Sequence, residues 1–293
     1  MPVPAADGTR VDTSSENKDS ATPSRGHYIF PVKTKRTMGT LKKIVFATIV
    51  GMGTTAMMSE AQNHLPAGFK LVYQTDFTTE GVGGLDLQAA TSEAFAVVNA
   101  PGNRAGKVLK VTLRKSDNFS HVANGAPRAE ANFARKFQFK TGGLYFVGWS
   151  IYIPPDYQLD SKQPEGITQI HESVPKGTPP FSITIINGHY RVDLRTADDK
   201  VATSSDLGSI EGDKGKWTNW GLYYRPDNSG INAICELLKN NVMVFNADGK
   251  PNAWPDDNNA YFKLGIYKWW WKTRSSDVTE RILYFGDVVA GVK

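Results

Sequence analysis

Short runs of alternating apolar and polar residues, separated by turn signals, occupy the chain from Phe69 onward. Successive side chains of a β-strand point to opposite faces, so such runs predict strands with one buried face. The runs lie at 108–114, 144–153, 181–186, 190–195 and 217–224. Turn-forming pairs such as Asn187-Gly188 and Asp248-Gly249 follow or separate them. Regular strand spacing with hardly any helical periodicity predicts an all-β sandwich of two antiparallel sheets in a single domain.

Three further runs alternate in the same way but carry reactive polar groups on one face. They are Tyr261–Tyr267, Gln169–His171 and Arg128–Glu130. In the longest of them the even positions are apolar, and these are the positions we expect to be buried. The opposite faces of the three runs together present Tyr261, Lys263, Tyr267, Gln169, His171, Arg128 and Glu130. Such a set is suited to binding a carboxylate and moving a proton.

The three motifs, Arg-x-Glu, Gln-Ile-His and Tyr-Phe-Lys-x-Gly-x-Tyr, occur in the order found in jelly-roll polysaccharide lyases, and the chain resembles that group. Alginate lyases of polysaccharide lyase family 7 carry all three motifs. The tail from Trp217 through 265–269 to 284–288 is more similar to the heparin-lyase-I and glucuronan-lyase group. The resemblance covers roughly residues 66–293 and implies a β-jelly roll of two antiparallel sheets with a concave substrate groove.

The resemblance implies β-elimination on a 4-linked uronic-acid polymer, in which a base removes the C5 proton and an acid protonates the leaving oxygen. The sugar carboxylate must be neutralised before that proton can leave. Gln169 can donate amide hydrogen bonds to it, and Arg128 can clamp it in a bidentate manner. By resemblance Tyr267 is the catalytic tyrosine and His171 its partner. Which of His171, His121 and Tyr267 is the base stays open.

The remaining candidates are expected to bind substrate or to support residues that do. Lys263 would bind a neighbouring carboxylate, whereas Glu130 would pair with Arg128 more than touch an anionic sugar. The other candidate binding residues are His121, Asn124, Tyr261, Trp269, Lys268 and Arg195. Two departures weaken an alginate assignment more than a lyase assignment: Asn132 stands where the pattern has a second arginine, and Trp269 where it often has glutamine.

Other interpretations of the same residues lead to other classes of protein. Arg128 and Glu130 could form a surface ion pair, and the histidines and tyrosines could be ordinary strand residues. A non-catalytic carbohydrate-binding jelly roll would keep the tryptophans at 269–271 without needing His171 and Tyr267 together. A glycoside hydrolase of the same fold needs two facing carboxylates, and Glu130 has no evident partner.

The N-terminal part of the chain looks unlike the rest. Residues 38–61 have the form of a signal peptide, with lysines at 42 and 43 before a short apolar run and a cut expected after Ala61. Residues 1–37 are expected to be disordered or to follow from a misassigned start, and 62–293 to form the jelly-roll lyase domain. We therefore expect a secreted or periplasmic protein with no membrane attachment after cleavage.

The net charge limits the kinds of partner to be expected. Residues 1–61 hold eight basic and five acidic residues, which leaves 26 basic and 24 acidic residues, a formal charge of +2, for the remainder. That balance argues against a nucleic-acid partner, which would usually require more concentrated charge. The expected partner is an acidic polysaccharide, as the resemblance implies, and the protein is expected to be a monomer. The single cysteine, Cys235, is expected to be buried and inert. No motif indicates a catalytic metal; the resemblance raises only a structural Ca²⁺, with Asp76 or Asp287 as ligand.

Overall fold

The structure is a computed structural model that describes residues 64–175, 178–196 and 201–293. The predicted extension at 1–37 and the predicted signal peptide at 38–61 lie outside these residues. Within the described ranges the chain forms fifteen strands and no α-helix. The strands are β1 (Lys70–Thr75), β2 (Asp86–Ala89), β3 (Phe95–Asn99), β4 (Lys107–Arg114), β5 (Arg128–Asn132), β6 (Tyr145–Tyr152), β7 (Glu165–His171), β8 (Phe181–Ile186), β9 (His189–Arg195), β10 (Val201–Ser209), β11 (Trp217–Arg225), β12 (Ile234–Lys239), β13 (Val242–Asn246), β14 (Tyr261–Tyr267) and β15 (Glu280–Val292).

The strands form two antiparallel sheets, which confirms the predicted jelly-roll class. One sheet has the order β13-β12-β11-β6-β15-β4-β3, with β1 paired to β15. The other has the order β10-β9-β8-β7-β14-β5-β2. We call this second, seven-stranded sheet the site sheet, because all three polar motifs lie on its strands. Some neighbouring strands are far apart in the sequence: β14, for example, pairs with β7 on one side and β5 on the other.

The core lies between the two sheets and is built from the apolar positions of the alternating runs. Phe262, Leu264 and Ile266 of β14 are fully buried, as their alternation predicts. The ring of Phe262 lies 5.2 Å from that of Trp149 on β6, in the opposite sheet. Burying each such side chain contributes about 1.5–3 kcal/mol to folding. The buried face of β14 is thus anchored, which fixes the direction in which its polar face points.

The predicted strands and turns are largely confirmed. The run at 181–186 is β8, and Asn187 and Gly188 both have positive φ, at 51° and 76°. Two consecutive residues with positive φ form the tight turn that an Asn-Gly pair favours, here joining β8 to β9. Cys235 is fully buried, and burial raises the pKa of its thiol well above the ordinary value, so it is inert as predicted. No helix in the described residues is long and apolar enough to span a bilayer.

Candidate active site

The three polar motifs lie on three neighbouring strands of the site sheet. Arg128-x-Glu130 is on β5, the 261–267 motif on β14 and Gln169-x-His171 on β7. In the register of the sheet Tyr261 is opposite His171, Lys263 is opposite Gln169, and Tyr267 is opposite Arg128. Residues at opposed positions of adjacent strands have neighbouring side chains. Segments far apart in the sequence therefore contribute to one continuous patch.

Gly265, the glycine of the third motif, allows β14 to approach β5 closely. Its φ is 151°, and a Cβ added there would lie 2.1 Å from the main-chain oxygen of Ala129. Only glycine fits without moving one of the two strands. The pairing of β14 with β7 shifts register between Leu264 and Tyr267, beside this glycine. The glycine thus belongs to the local geometry that presents Tyr267.

A cavity of about 220 Å³ opens on the polar face of these strands. It is lined by Gln88, Ala123, Asn124, Arg128, Gln169, His171, Pro179, Tyr261 and Tyr267. All four residues predicted to be catalytic are among them, together with two of the predicted binding residues, Asn124 and Tyr261. We call this space the catalytic cavity.

His171 has one ring nitrogen tied to the protein and the other available. Nδ1 lies 2.9 Å from the main-chain oxygen of Glu172 and 3.3 Å from a carboxylate oxygen of the same residue. A main-chain oxygen and a carboxylate oxygen can act only as acceptors, so Nδ1 carries the proton and Nε2 of a neutral ring has a free lone pair. Burial, reinforced by the positive charge of Lys263, lowers the pKa of His171 below its ordinary value. The ring also stacks on Tyr261, with centroids 5.3 Å apart. At neutral pH His171 is therefore an uncharged base whose ring is fixed in orientation.

Tyr267 has the opposite character. Burial raises the pKa of its phenol, although the charge of Arg128 opposes the shift. The guanidinium of Arg128 lies 4.1 Å from the centre of the Tyr267 ring, and the ring of Trp269 lies 5.4 Å away on another side. A phenol with a raised pKa stays protonated at neutral pH, so in the free protein Tyr267 is equipped to donate a proton rather than to accept one.

Glu130 is the centre of a buried network beneath the cavity. Its Oε2 accepts a hydrogen bond from Lys263 Nζ at 2.7 Å and from Arg128 Nη1 at 3.4 Å, and its Oε1 accepts one from Gln169 Nε2. Burial alone would raise the pKa of Glu130, but Lys263 and Arg128 together lower it. The three charged groups sum to +1. Of these three groups, only Arg128 lines the cavity, so its guanidinium is the cation that an anion there would meet.

This network changes two expectations. Lys263 faces the predicted side, but it is 1% exposed and its ammonium is held by Glu130 and by Gln88 Oε1 at 2.8 Å, so it does not line the catalytic cavity. Gln169 already donates one amide hydrogen to Glu130, which leaves one rather than two for a ligand. Glu130 itself pairs with Arg128, as expected, and does not line the cavity.

Arg128 has two partners within the protein. Nη1 donates to Glu130, and Nη2 donates to Oδ1 of Asn124 at 3.0 Å. Each terminal nitrogen carries two hydrogens, so one N–H on each remains for a ligand, and the expected bidentate clamp stays a prediction. The contact also orients Asn124, because an amide whose oxygen faces Arg128 turns its NH₂ group elsewhere. Asn124 lines the catalytic cavity, so that NH₂ group is available there.

Two other predicted binding residues are not brought to the cavity. Lys268 is fully buried, with Nζ 2.9 Å from Asp160 and 3.4 Å from Glu165. It continues the even, core-facing positions of β14, which explains its inward direction. His121 lies on an exposed turn, with Nε2 3.0 Å from the main-chain oxygen of Ala90. It lines neither the catalytic cavity nor the larger cavity that adjoins it.

A second, larger cavity of about 410 Å³ adjoins the first and shares Gln169, Pro179 and Tyr267 with it. Trp269 and Arg195 line it, as expected of substrate-binding residues in the same groove. We call this space the flanking cavity. Pro179 borders both cavities. Gln88 of the catalytic cavity was not predicted, because it lies on a strand of only four residues, too short to show alternation.

The structural Ca²⁺ suggested for Asp76 or Asp287 stays a prediction. Asp287 forms an ion pair with Arg104. Asp76 is exposed and caps its own turn by accepting from the main-chain nitrogen of Thr78 at 2.8 Å. Among the described residues no group of three or more His, Cys, Asp or Glu side chains is placed to hold a metal ion.

Comparison with known proteins agrees with the geometry. A sequence model of a family described as polysaccharide lyase matches residues 74–289. The fold is similar to that of an endo-β-1,4-glucuronan lyase from the fungus Trichoderma reesei, with a TM-score of 0.61 and 16% identity over 76% of this chain and 95% of that one. It is also similar to the alginate lyase AlgAT5 of polysaccharide lyase family 7, with a TM-score of 0.51 and 14% identity over 74% and 96% of the two chains. No curated protein matches the sequence significantly.

Proposed function

The chain belongs to the polysaccharide lyase family, and on that premise we propose that it is a secreted, endo-acting enzyme that cleaves a 4-linked uronic-acid polymer by β-elimination. One observation carries the proposal: His171 and Tyr267 line the same cavity as Arg128 and Gln169. A neutral base, a protonated phenol and the cation Arg128 thus border one space. These are the three elements that elimination beside a carboxylate needs.

In the proposed reaction the sugar whose C4–O bond breaks lies with its carboxylate toward Arg128, Gln169 and Asn124. Arg128 supplies charge, and the remaining N–H groups of the two amides supply hydrogen bonds. Their combined effect stabilises the additional negative charge that develops on the carboxylate when the C5 proton leaves. Because Glu130 and its partners hold these donors in place before substrate arrives, little reorganisation is needed during the reaction.

The proton transfers follow from the two protonation states. Nε2 of His171 removes the C5 proton, the C5 electron pair forms a C4=C5 double bond, and the C4–O bond breaks. The phenol of Tyr267 gives its proton to the departing oxygen, which remains on C1 of the other fragment as a hydroxyl group. Solvent then returns a proton to Tyr267 and takes one from His171. The products are a new reducing end and an unsaturated uronate.

The choice of polymer is proposed from charge and from the structural relatives. The arginines that line the two cavities are each paired with a buried carboxylate, Glu130 or Asp193, which favours singly charged sugars over densely sulfated ones. The two relatives are named for glucuronan and alginate. These polymers are therefore the first candidates, ahead of heparin.

The test is a panel of alginate, polyglucuronate, heparin and hyaluronan, followed by the ultraviolet absorbance of the unsaturated product. We expect absorbance to rise with alginate or polyglucuronate, and early products to be long, as endo cleavage requires. A folded protein that binds one of these polymers without producing unsaturated ends would instead be a binding module. New reducing ends without absorbance would indicate hydrolysis. Either result would refute the proposal.

Export is a separate part of the proposal and rests on the sequence at 38–61 alone. We expect the mature chain to begin near Gln62 and to be found outside the cytoplasm. Mass spectrometry of protein recovered from the medium or periplasm checks this expectation. Exported material that retains residues 38–61 would contradict it.

A further inference from the structure

The flanking cavity contains a charged arrangement that the proposed elimination does not use. Arg191, Asp193 and Arg195 occupy alternate positions of β9 and so share one face of the site sheet. Both arginines donate through Nη2 to the same carboxylate oxygen of Asp193, at 3.0 Å and 3.3 Å. Asp193 is almost fully buried and also accepts a hydrogen bond from Ser204 Oγ at 2.7 Å.

The arginines, unlike the aspartate, reach the cavity. Their side chains are 34% and 19% exposed, for Arg191 and Arg195 respectively, and both line the flanking cavity. Two guanidinium groups and one carboxylate sum to +1, so one positive charge is held at a fixed place. The Nε atom of Arg191 is buried and has no hydrogen-bond partner among the described residues. Asp193 therefore acts as an internal brace for two cations that face outward.

Another part of the cavity lining is aromatic. Trp269 and Trp270 line it, and Trp270 is held by the guanidinium of Arg274, 3.6 Å from the ring centre. Flat aromatic faces pack well against the apolar faces of sugar rings. The lining thus combines a surface for a pyranose ring with a fixed positive charge, whereas a purely apolar ligand would leave the charge unmatched.

The position of the pair relative to the catalytic cavity is set by the order of the strands. From β14, which carries Tyr267, the sheet runs through β7 and β8 to β9. Three strand spacings correspond to about 14 Å, a distance that more than one pyranose ring must span. A polymer that crosses the strands would therefore place a different sugar at β9 from the one that reacts.

We propose that Arg191 and Arg195, braced by Asp193, form a subsite that binds the carboxylate of a second uronate on the same polymer, whose ring packs against Trp269 and Trp270. The inference rests on the proposed function and specifies how the enzyme selects its substrate: a uronate is required at the subsite as well as at the cleaved bond. Chains too short to reach β9 lose this contact.

The test compares Arg191→Gln with a matched control, Arg114→Gln. Replacing Arg191 should leave the buried Asp193 in place, because Asp193 still accepts hydrogen bonds from Arg195 and Ser204. Arg114 is an exposed arginine of the other sheet, paired with exposed Glu280 at 2.8 Å, so its replacement removes the same charge from the sheet that does not carry the three motifs. Michaelis constants and calorimetric affinities are measured for uronate oligosaccharides of increasing length.

We expect Arg191→Gln to raise the Michaelis constant for long chains roughly five- to tenfold, with kcat nearly unchanged, and to leave the shortest cleavable chain unaffected. The control should match the wild type at every length. A long chain whose carboxylates are reduced to alcohols away from the cleaved bond should be bound equally by both variants. Equal effects of Arg191→Gln on short and long chains, or no effect at all, would overturn the subsite.

The two proposals fail in different ways. If the wild type yields no unsaturated ends but Arg191→Gln still weakens calorimetric binding of long uronate chains, the subsite stands and the elimination is wrong. If unsaturated ends appear and Arg191→Gln behaves like Arg114→Gln, the elimination stands and the subsite is wrong.

Discussion

Burial decides the chemistry of individual residues in the catalytic cavity. It lowers the pKa of His171 and raises that of Tyr267, so both groups are uncharged near neutrality. The buried carboxylate of Glu130 stays ionised only because two cations contact it. The result is an assignment that the residue types alone leave open: His171 is suited to accept a proton, and Tyr267 to donate one.

Tyr267→Phe tests the proton donor. The change removes one oxygen and leaves the ring to pack against Arg128 and Trp269, so we expect the fold to survive. The turnover number should fall by roughly 10²–10⁴-fold, the usual loss when general acid catalysis is removed. The Michaelis constant should change little, because Gln169, Asn124 and Arg128 are still present. Circular dichroism and steady-state kinetics measure both effects. A folded variant with near wild-type turnover would move the acid to another group.

The pH dependence distinguishes the two roles. The proposed base works when deprotonated, and its pKa is lowered, so activity should persist as the pH falls and be lost only below about 6.5. The proposed acid works when protonated, and its pKa is raised, so activity should decline only above about 10. The profile of kcat/KM for the wild type reports these groups in the free enzyme. A rate that instead rises steadily through pH 9–10 would identify Tyr267 as the base.

For individual residues, the sequence predicted which face of a strand a side chain occupies better than it predicted which groups that side chain contacts. Alternation placed Lys263 on the correct face, yet it could not show that Glu130 and Gln88 occupy the ammonium. The partners come from β5 and β2, more than a hundred residues away along the chain. The inward direction of Lys268 could have been predicted, because it continues the even-numbered, buried positions of β14. A lysine usually suggests an exposed position, however, and the sequence did not show that buried carboxylates lie beside this one.

At the scale of the strands, the close pairing of β14 with β5 depends on one residue, Gly265. Gly265→Ala would place a Cβ 2.1 Å from Ala129 O and 2.6 Å from the Cα of Glu130, so β14 and β5 must separate. We expect a loss of at least about 1–3 kcal/mol in the free energy of unfolding, together with reduced turnover, because Arg128 and Tyr267 lie on the two separated strands. Urea denaturation and kinetics measure these losses.

Gly212→Ala is the matched control for that change. Gly212 lies in the exposed one-turn 3₁₀ helix Glu211–Asp213, and a Cβ there would meet nothing within 4 Å. Stability and turnover should both stay close to wild type. If the two alanine variants unfold at the same urea concentration, close packing at Gly265 is not what fixes β14.

The elements that could be predicted from sequence are those with one buried and one polar face. The runs that became β8 and β9 alternate clearly, and the turn between them carries the Asn-Gly signal. In contrast, β10 was missed because it is an edge strand with few buried residues, and polar side chains occupy most of its positions. Hydrophobic alternation arises from burial on one face, so a strand with little burial leaves little trace in the sequence.

For the molecule as a whole, the two sheets are joined by buried charges as well as by the apolar core. Arg281 on β15 donates through Nε to Glu165 on β7 at 2.7 Å, across the interface between the sheets. Glu165 also contacts Lys268, which is paired with Asp160, and accepts a hydrogen bond from Tyr157. The two cations and the two carboxylates of this cluster carry equal and opposite formal charge. Because Glu165 begins β7 and Lys268 follows Tyr267, the cluster also holds the catalytic strands in register.

Glu165→Gln tests the importance of this cluster. The amide has nearly the shape of the carboxylate, but it leaves Arg281 and Lys268 buried with only Asp160 to balance them. Removing one member of a buried ion pair typically costs about 3–5 kcal/mol, since the remaining charge stays desolvated. Glu280→Gln is the control, because it breaks the exposed Arg114–Glu280 pair of the same β15, where about 0–1 kcal/mol is expected. Denaturant unfolding compares the two variants directly. Because the cluster links both sheets, the larger loss should appear as one cooperative transition at lower denaturant; equal stability of the two variants would show that the apolar core alone holds the sheets together.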